Sequence, residues 1–166
     1  AYYLALDGSR VTVFERQKIL GGMLTLGIPA FRLGKDVINA EIDILRELGV
    51  EFRTGVEVGK DVTLNGLRAQ GYRGFYLAIG AQAGRKLGID GENAAGVLTG
   101  VDFMRRVNLG EAIALPGKTI VIGGGNVAID VARTAARVGA ESVGMFCLES
   151  RAEMPAAADE IAEAEE

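Results

Sequence analysis

The sequence of 166 residues contains no histidine and a single cysteine, Cys147. Histidine is the commonest general base and metal ligand, so its absence argues against hydrolytic triads and zinc sites. One cysteine excludes an internal disulfide and a Cys-x-x-Cys redox pair. Cys147 lies on a predicted apolar strand, where a free cysteine usually behaves as a small hydrophobe. The chemistry that remains is chemistry carried by a bound cofactor.

Long apolar runs and clusters of basic residues are missing too. No apolar stretch approaches membrane-spanning length and no signal peptide is visible, so we expect a cytoplasmic protein without a membrane partner. The net charge is −4, and a nucleic-acid surface would need clustered Lys and Arg with stacking rings. We therefore expect no nucleic-acid partner.

Glycine, by contrast, is abundant at 24 residues, with only three prolines and no Gly-X-Y period. This composition predicts many tight turns between short elements. The spacing of apolar residues and the glycines that end the segments predict an α/β chain. The predicted strands lie over 11–15, 50–53, 56–58 and 74–80. The predicted helices lie over 36–48, 63–70 and 99–107, with the end of a helix over 1–6 and a solvated acidic helix over 159–166. The first segment has no N-cap and no preceding strand, so we expect the natural N-terminus to lie upstream.

The clearest unit is a strand over 119–122, a glycine turn over 123–128, a helix over 126–138 and a strand over 143–148. A Gly-x-Gly-x-x-Ala match is weak evidence in so glycine-rich a chain, but this context is that of a Rossmann unit. Helical spacing predicts that Val127, Val131, Ala135 and Val138 face a sheet, while Asp130, Arg133 and Arg137 face solvent.

Each part of this turn has a physical reason. Gly123 permits the tight turn, Gly125 lets the backbone approach a pyrophosphate, and Ala128 keeps the helix close to the strand. The helix N-terminus offers unpaired N–H groups to phosphates. Glu149 follows Ala128 by 21 residues and would accept hydrogen bonds from the adenosine ribose. The alternative is a strand–turn–helix that only packs tightly.

Glu15 ends an earlier strand in the same way, and its partner helix would be the stub over 1–6. The matching glycine turn would lie before residue 1. The alternative for Glu15 is an ordinary carboxylate at a strand end.

The order of motifs resembles the small (beta) subunit of glutamate synthase and its relatives, including the flavin-binding part of dihydropyrimidine dehydrogenase. Two stretches are specific: Gly-Ile-Pro-Ala-Phe-Arg-Leu at 27–33 and Glu-Met-Pro-Ala at 153–156. The other matching stretches lie at 11–15, 20–24, 77–81 and 121–128.

The resemblance implies two nested, incomplete dinucleotide-binding domains with parallel sheets, for FAD over 1–110 and for NAD(P) over 111–166. The residues implied to bind FAD are Glu15 at the ribose, Gly22, Met23, Arg32 and Val58 along the flavin nucleotide, and Gly80 closing against it. The residues implied to bind NAD or NADP are Gly123, Gly124, Gly125, Asn126 and Val127.

In the family, hydride passes from the nicotinamide to the flavin, and electrons pass on to iron–sulfur clusters. No side-chain acid or base is required. Because the chain has no cysteine cluster, the resemblance implies that these clusters lie in a missing region or in a partner, such as a large catalytic subunit or an iron–sulfur protein.

The sequence departs from the family in ways that leave alternatives open. Many members have two basic residues where this chain has Leu148 and Glu149. A carboxylate there suits NAD, while Arg151 keeps NADP open. The FAD glycine turn is absent, so the flavin site is incomplete as given. The alternative to an oxidoreductase is a non-catalytic module that senses NAD(H) or scaffolds a partner. The terminal electron acceptor stays open.

Overall fold

Two pairs of parallel strands organise the chain in the computed structural model, which describes residues 1–165. Strand β1 (Thr12–Glu15) pairs with β2 (Glu51–Thr54), and Thr12 lies opposite Glu51. Strand β3 (Lys118–Ile122) pairs with β4 (Ser142–Phe146), and Ile122 lies opposite Phe146. Each parallel pair is joined by a crossover that contains a helix, as parallel pairing requires.

Seven α-helices occur in the described residues: α1 (Tyr2–Leu6), α2 (Met23–Leu26), α3 (Lys35–Glu47), α4 (Leu64–Ala69), α5 (Gly100–Asn108), α6 (Asn126–Arg137) and α7 (Ala158–Glu165). Two of them begin at threonine caps. Thr63 Oγ1 accepts from the N–H of Gly66 at 3.0 Å, and Thr99 Oγ1 accepts from the N–H of Asp102 at 3.2 Å. These bonds satisfy N–H groups that have no partner within the helix.

The chain divides into two compact units. One comprises Ala1–Thr25 with Ala30–Ala81, and the other comprises Leu26–Pro29 with the chain from Gln82 onward. These units are defined by contacts, whereas the predicted division at residue 110 concerns which cofactor each part binds. That cofactor division stays a prediction.

In the first unit, α3 turns Ile38 and Ile42 inward, and Val50 is buried ahead of β2. Val37 of the same helix is exposed. Tyr72, after α4, contacts β1 twice. Its ring meets Phe14 edge-on at 5.8 Å between centroids, and its hydroxyl donates to Thr12 Oγ1 at 3.1 Å. These contacts pack Tyr72 against β1, the strand that ends at Glu15.

Two strands predicted in this unit do not form. Residues 56–58 contribute only an isolated bridge between Val58 and Val62. Residues 74–80 pair with no strand in the described chain, and Tyr76 and Ile79 are 88% and 85% exposed. An apolar sequence becomes a strand only against a neighbour that takes up its backbone hydrogen bonds. The unit's sheet consists of β1 and β2 alone.

In the second unit, one core cluster joins Phe103 and Met104 of α5 to Ala135 of α6. A second cluster joins Ile129 of α6 to Ala156 and Ile161. Helix α6 is therefore covered on two sides, by the sheet with α5 and by α7.

The predicted orientation of α6 was wrong in part. Val127 and Val138 are 58% and 38% exposed, whereas Asp130 is buried. Arg133 lies in the contact with α7, and its guanidinium is 3.6 Å from the Glu160 carboxylate. The spacing of apolar residues predicted a single buried face, and packing of α7 on α6 created a second one. For the same reason the acidic helix is not wholly solvated. Its last predicted residue, 166, lies outside the described residues.

Candidate nucleotide-binding site

The turn after β3 has a backbone conformation that requires glycine at its first position. Gly123 has φ of 138°, a backbone conformation that L side chains rarely adopt, and its N–H donates to the carbonyl of Phe146 at 2.8 Å. A Cβ built on Gly123 would lie 3.3 Å from Cβ of Ala128. The turn and the first helical residues are thus in close contact, which is the geometry predicted for Gly123 and Ala128.

The next two glycines have opposite surroundings. A Cβ on Gly124 would lie 3.1 Å from Cβ of Cys147 and 3.3 Å from Oε2 of Glu149, so the space that a side chain would need here is already filled. A Cβ on Gly125 would meet nothing within 4 Å. The backbone at Gly125 therefore borders open space that a side chain would enter. This open cradle fits the approach of a pyrophosphate.

Helix α6 begins directly behind this open space. Gly125 is its N-cap residue, and no side chain caps the helix among residues 1–165. The N–H groups of Ala128 and Ile129 donate to the Gly125 carbonyl. The N–H groups ahead of them belong to the helical turn that has no intrahelical acceptor, and such groups bind anions. Val127 is exposed beside them.

Asn126 has a second role that the sequence analysis missed. Its Oδ1 accepts from the N–H of Ala157 at 2.8 Å, and the Gly124 carbonyl accepts from the N–H of Ala156 at 3.0 Å. The glycine turn is therefore tied to the segment that leads into α7. The signal in the sequence was the specific Glu-Met-Pro-Ala stretch, which ends at Ala156.

Glu149 also lies beside the glycine turn. Its Oε2 is 3.3 Å from the position of a Cβ on Gly124, so the carboxylate lies beside the turn, where the prediction requires it. The thiol of Cys147 donates to the Glu149 carbonyl at 3.4 Å and helps to set the backbone there. The structure thus brings Glu149 together with the glycine turn, and binding of a ribose by Glu149 stays a prediction.

Arg151 is engaged elsewhere. It begins a short 3₁₀ helix, Arg151–Glu153, and its Nε and Nη2 both donate to the carboxylate of Glu165 on α7. The hydrogen bond from Arg151 holds the pKa of Glu165 below its ordinary value, and the same bond raises the pKa of Arg151.

Glu15 and Gly22 lie at two bends of the first unit. Glu15 ends β1, and its Oε1 accepts from the N–H of Gln17 at 2.7 Å. Gly22 has φ of 53°, and a Cβ there would meet nothing within 4 Å. Met23 then begins α2. An open glycine and a carboxylate at a strand end fit part of a dinucleotide site.

The other residues assigned to the flavin lie on separate segments. Arg32 is exposed between α2 and α3, Val58 forms the bridge with Val62, and Gly80 is exposed with φ of 69°. Their common role at FAD stays a prediction.

Comparison with known proteins gives a family that covers the whole chain. The family described as pyridine nucleotide-disulphide oxidoreductase matches residues 1–166. Its members bind FAD and NAD(P)H, which agrees with the cofactors implied by the resemblance.

Individual relatives agree with this family. The chain is 44% identical to the NADP(+)-dependent formate dehydrogenase subunit beta of Moorella thermoacetica, over 99% of the chain and 24% of that protein. It is 33% identical to the glutamate synthase [NADPH] small chain of Escherichia coli, over 98% of the chain and 37% of that protein. It is 39% identical to the NAD-dependent dihydropyrimidine dehydrogenase subunit PreT of Salmonella typhimurium, over 93% and 37%. The chain thus spans from 24% to 37% of the length of these relatives, and they confirm the resemblance.

A solved structure confirms the fold class. FprA from Mycobacterium tuberculosis, in complex with NADPH, superposes with a TM-score of 0.78 at 24% identity, over 93% of the chain and 40% of FprA. Within residues 1–165, no helix combines the length and the apolar character needed to cross a membrane.

Proposed function

Since the chain belongs to the pyridine nucleotide-disulphide oxidoreductase family, we propose that it is part of a flavoprotein that moves hydride from NAD(P)H to FAD and sends electrons onward, as glutamate synthase beta subunits do. The observation that carries the proposal is the open cradle at Gly125, with the start of α6 behind it and Glu149 beside it. Such a cradle suits a pyrophosphate with its ribose.

Residues 111–166, which belong to the second unit, bind the pyridine nucleotide. The backbone at Gly124, Gly125, Asn126 and Val127 faces the pyrophosphate, and Gly123 gives the turn the shape that makes this approach possible. Asn126 also holds Ala157 through its side chain, which keeps the segment before α7 against the turn.

The first unit supplies part of the FAD site. Glu15 binds the ribose through its carboxylate, and the open backbone at Gly22 lies along the nucleotide. Met23, Arg32 and Val58 complete this side, and Gly80 closes against it. The cofactor division of the chain at residue 110 belongs to this proposal.

When bound, the two cofactors supply the hydride transfer, and the chain's own residues bind and orient them. No histidine is present to act as a general base, and transfer of hydride between two cofactors requires none. The names of relatives include "subunit beta" and "small chain". We therefore propose that the electrons leave to iron–sulfur clusters or to a partner subunit.

NADH is the favoured donor, because Glu149 lies where a 2′-phosphate would approach. A phosphate dianion about 6 Å from a carboxylate in water-like surroundings is disfavoured by about 1.4 kcal/mol, which is a factor of about ten in affinity. Relatives named for NADP and for NAD both occur, so the family by itself does not decide the donor.

The test is titration of the purified chain with NADH and with NADPH by calorimetry. We expect NADH to bind about tenfold more tightly, and Glu149→Gln to remove most of this preference. A chain that binds neither dinucleotide would contradict the proposal, and a preference for NADPH would contradict the assignment of NADH as the donor.

The flavin distinguishes an electron-transfer protein from a module that only binds NAD(H). Absorbance at about 450 nm in the whole protein, bleached by NADH, is expected for the first. A colourless whole protein that still binds NADH would support the module.

A further inference from the structure

Arg151 is the only basic residue in positions 138–166 and follows Glu149 by two residues. A guanidinium this close in sequence to the ribose-binding carboxylate is the natural partner of a 2′-phosphate, because arginine binds phosphate oxygens through two parallel N–H groups. In the structure both donating nitrogens are bound instead to Glu165 of α7. The cation nearest to Glu149 in the chain is thus already neutralised.

Helix α7 holds Glu165 at this position through contacts that do not involve Arg151. Ile161 is buried against Ile129 and Ala156 in the second core cluster. Arg133 of α6 lies 2.7 Å from the carboxylate of Glu163. The location of Glu165 is therefore a property of the α6–α7 packing.

We propose that Glu165 is a specificity-determining residue that selects NADH over NADPH by withholding Arg151 from the 2′-phosphate. The inference rests on the proposed function and deepens it. Glu149 repels the phosphate directly, and Glu165 neutralises Arg151, the cation nearest to Glu149 in the sequence, which would otherwise offset this repulsion. The two carboxylates thus act on the same group of the cofactor from different elements.

The pair persists at the pH at which the enzyme would work. Its hydrogen bonds lower the pKa of Glu165 and raise that of Arg151, so both groups are charged near neutral pH. Both side chains are exposed, which limits the strength of the pair. When Glu165 is replaced by an uncharged residue, the 2′-phosphate can therefore bind Arg151.

The test compares the ratio of the Kd of NADP+ to the Kd of NAD+ in the purified chain. Glu165→Gln should lower this ratio about two- to fivefold, the range of an exposed ion pair. Asp159→Asn removes one negative charge from the same helix and keeps the side-chain oxygen that accepts from the N–H of Glu160. It leaves the ion pairs of Arg151 and Glu163 in place, so its ratio should stay at the wild-type value. The double variant Glu165→Gln with Arg151→Gln should return to the wild-type ratio, and circular dichroism checks that each variant is folded.

The outcomes separate this inference from the proposed function. An unchanged ratio in Glu165→Gln, with NAD+ still bound, overturns the inference and leaves the proposed function standing. An equal fall in Asp159→Asn also overturns it, because the general negative charge of the helix would then be the cause. Failure of the wild-type chain to bind either dinucleotide overturns the proposed function and this inference with it.

Discussion

Replacing Gly124 by alanine should destabilise the fold, because the added methyl group has no room. Its Cβ would lie 3.1 Å from Cβ and 3.3 Å from Sγ of Cys147, and 3.3 Å from Oε2 of Glu149. Carbon atoms pack best at about 3.5–4.0 Å. The Glu149 carboxylate can turn away, but Cβ of Cys147 is fixed by the backbone that follows β4. Overpacking of this kind costs about 1–3 kcal/mol, so we expect Gly124→Ala to lower the free energy of unfolding by that amount.

Gly125→Ala is the matched variant one residue later. Its methyl group would enter open space, and its φ of −94° is accessible to alanine. Alanine is a poorer N-cap residue than glycine, but it also loses less conformational entropy on folding, and the two effects nearly cancel. We expect the free energy of unfolding to change by less than about 0.5 kcal/mol. Dinucleotide affinity should fall at least about tenfold, since one charge-assisted hydrogen bond to phosphate is worth about 1.5–3 kcal/mol.

Urea denaturation followed by circular dichroism measures the free energy of unfolding, and calorimetric titration with NADH measures the dinucleotide affinity. The pair of variants separates a glycine that the fold needs from a glycine that the ligand needs. The reasoning would be refuted if Gly125→Ala bound NADH as tightly as the wild type. It would equally be refuted if Gly124→Ala were as stable as the wild type.

Three further predictions concern caps and loops. Asn126→Ala should leave the N–H of Ala157 without its acceptor, cost about 1 kcal/mol and speed hydrogen exchange at that amide; unchanged exchange would contradict this role. Thr99→Ala should lower the free energy of unfolding by about 1 kcal/mol through loss of the bond to the Asp102 amide, and an unaltered urea midpoint would argue against it. Hydrogen bonds from two loop amides lower the pKa of Glu92, so this carboxylate's contribution to stability is present above its unfolded-state pKa and is lost as pH falls through the lower folded value. NMR titration of the two amides should show a midpoint below that of a free glutamate, and an ordinary midpoint would contradict it.

The sequence was sufficient for features that depend on neighbouring residues. The strand–turn–helix around Gly123 formed as predicted, and the helices predicted from residues 63 and 99 begin at side-chain caps on Thr63 and Thr99. Each depends on backbone sterics or on a hydrogen bond within a few residues, so local chemistry decides it. The location of Glu149 beside the turn also followed, because parallel β3 and β4 end at the same edge of their sheet.

Tertiary structure alone decided which side chains found distant partners. Residues 74–80 have the apolar pattern of a strand but do not form one, because strand pairing depends on a neighbouring strand that no local pattern encodes. Asp130 and Arg133 are polar by type, and the packing of α7 against α6 encloses them.

At the candidate site itself, Arg151 also separates what the sequence determines from what the tertiary structure determines. The sequence by itself determined that a carboxylate and a guanidinium follow β4 two residues apart, at Glu149 and Arg151. Only the packing of α7 decided that the guanidinium would bind Glu165, 14 residues further along. The interaction between two charges depends on the distance between them, and the distance between residues far apart in sequence is fixed only in the folded chain.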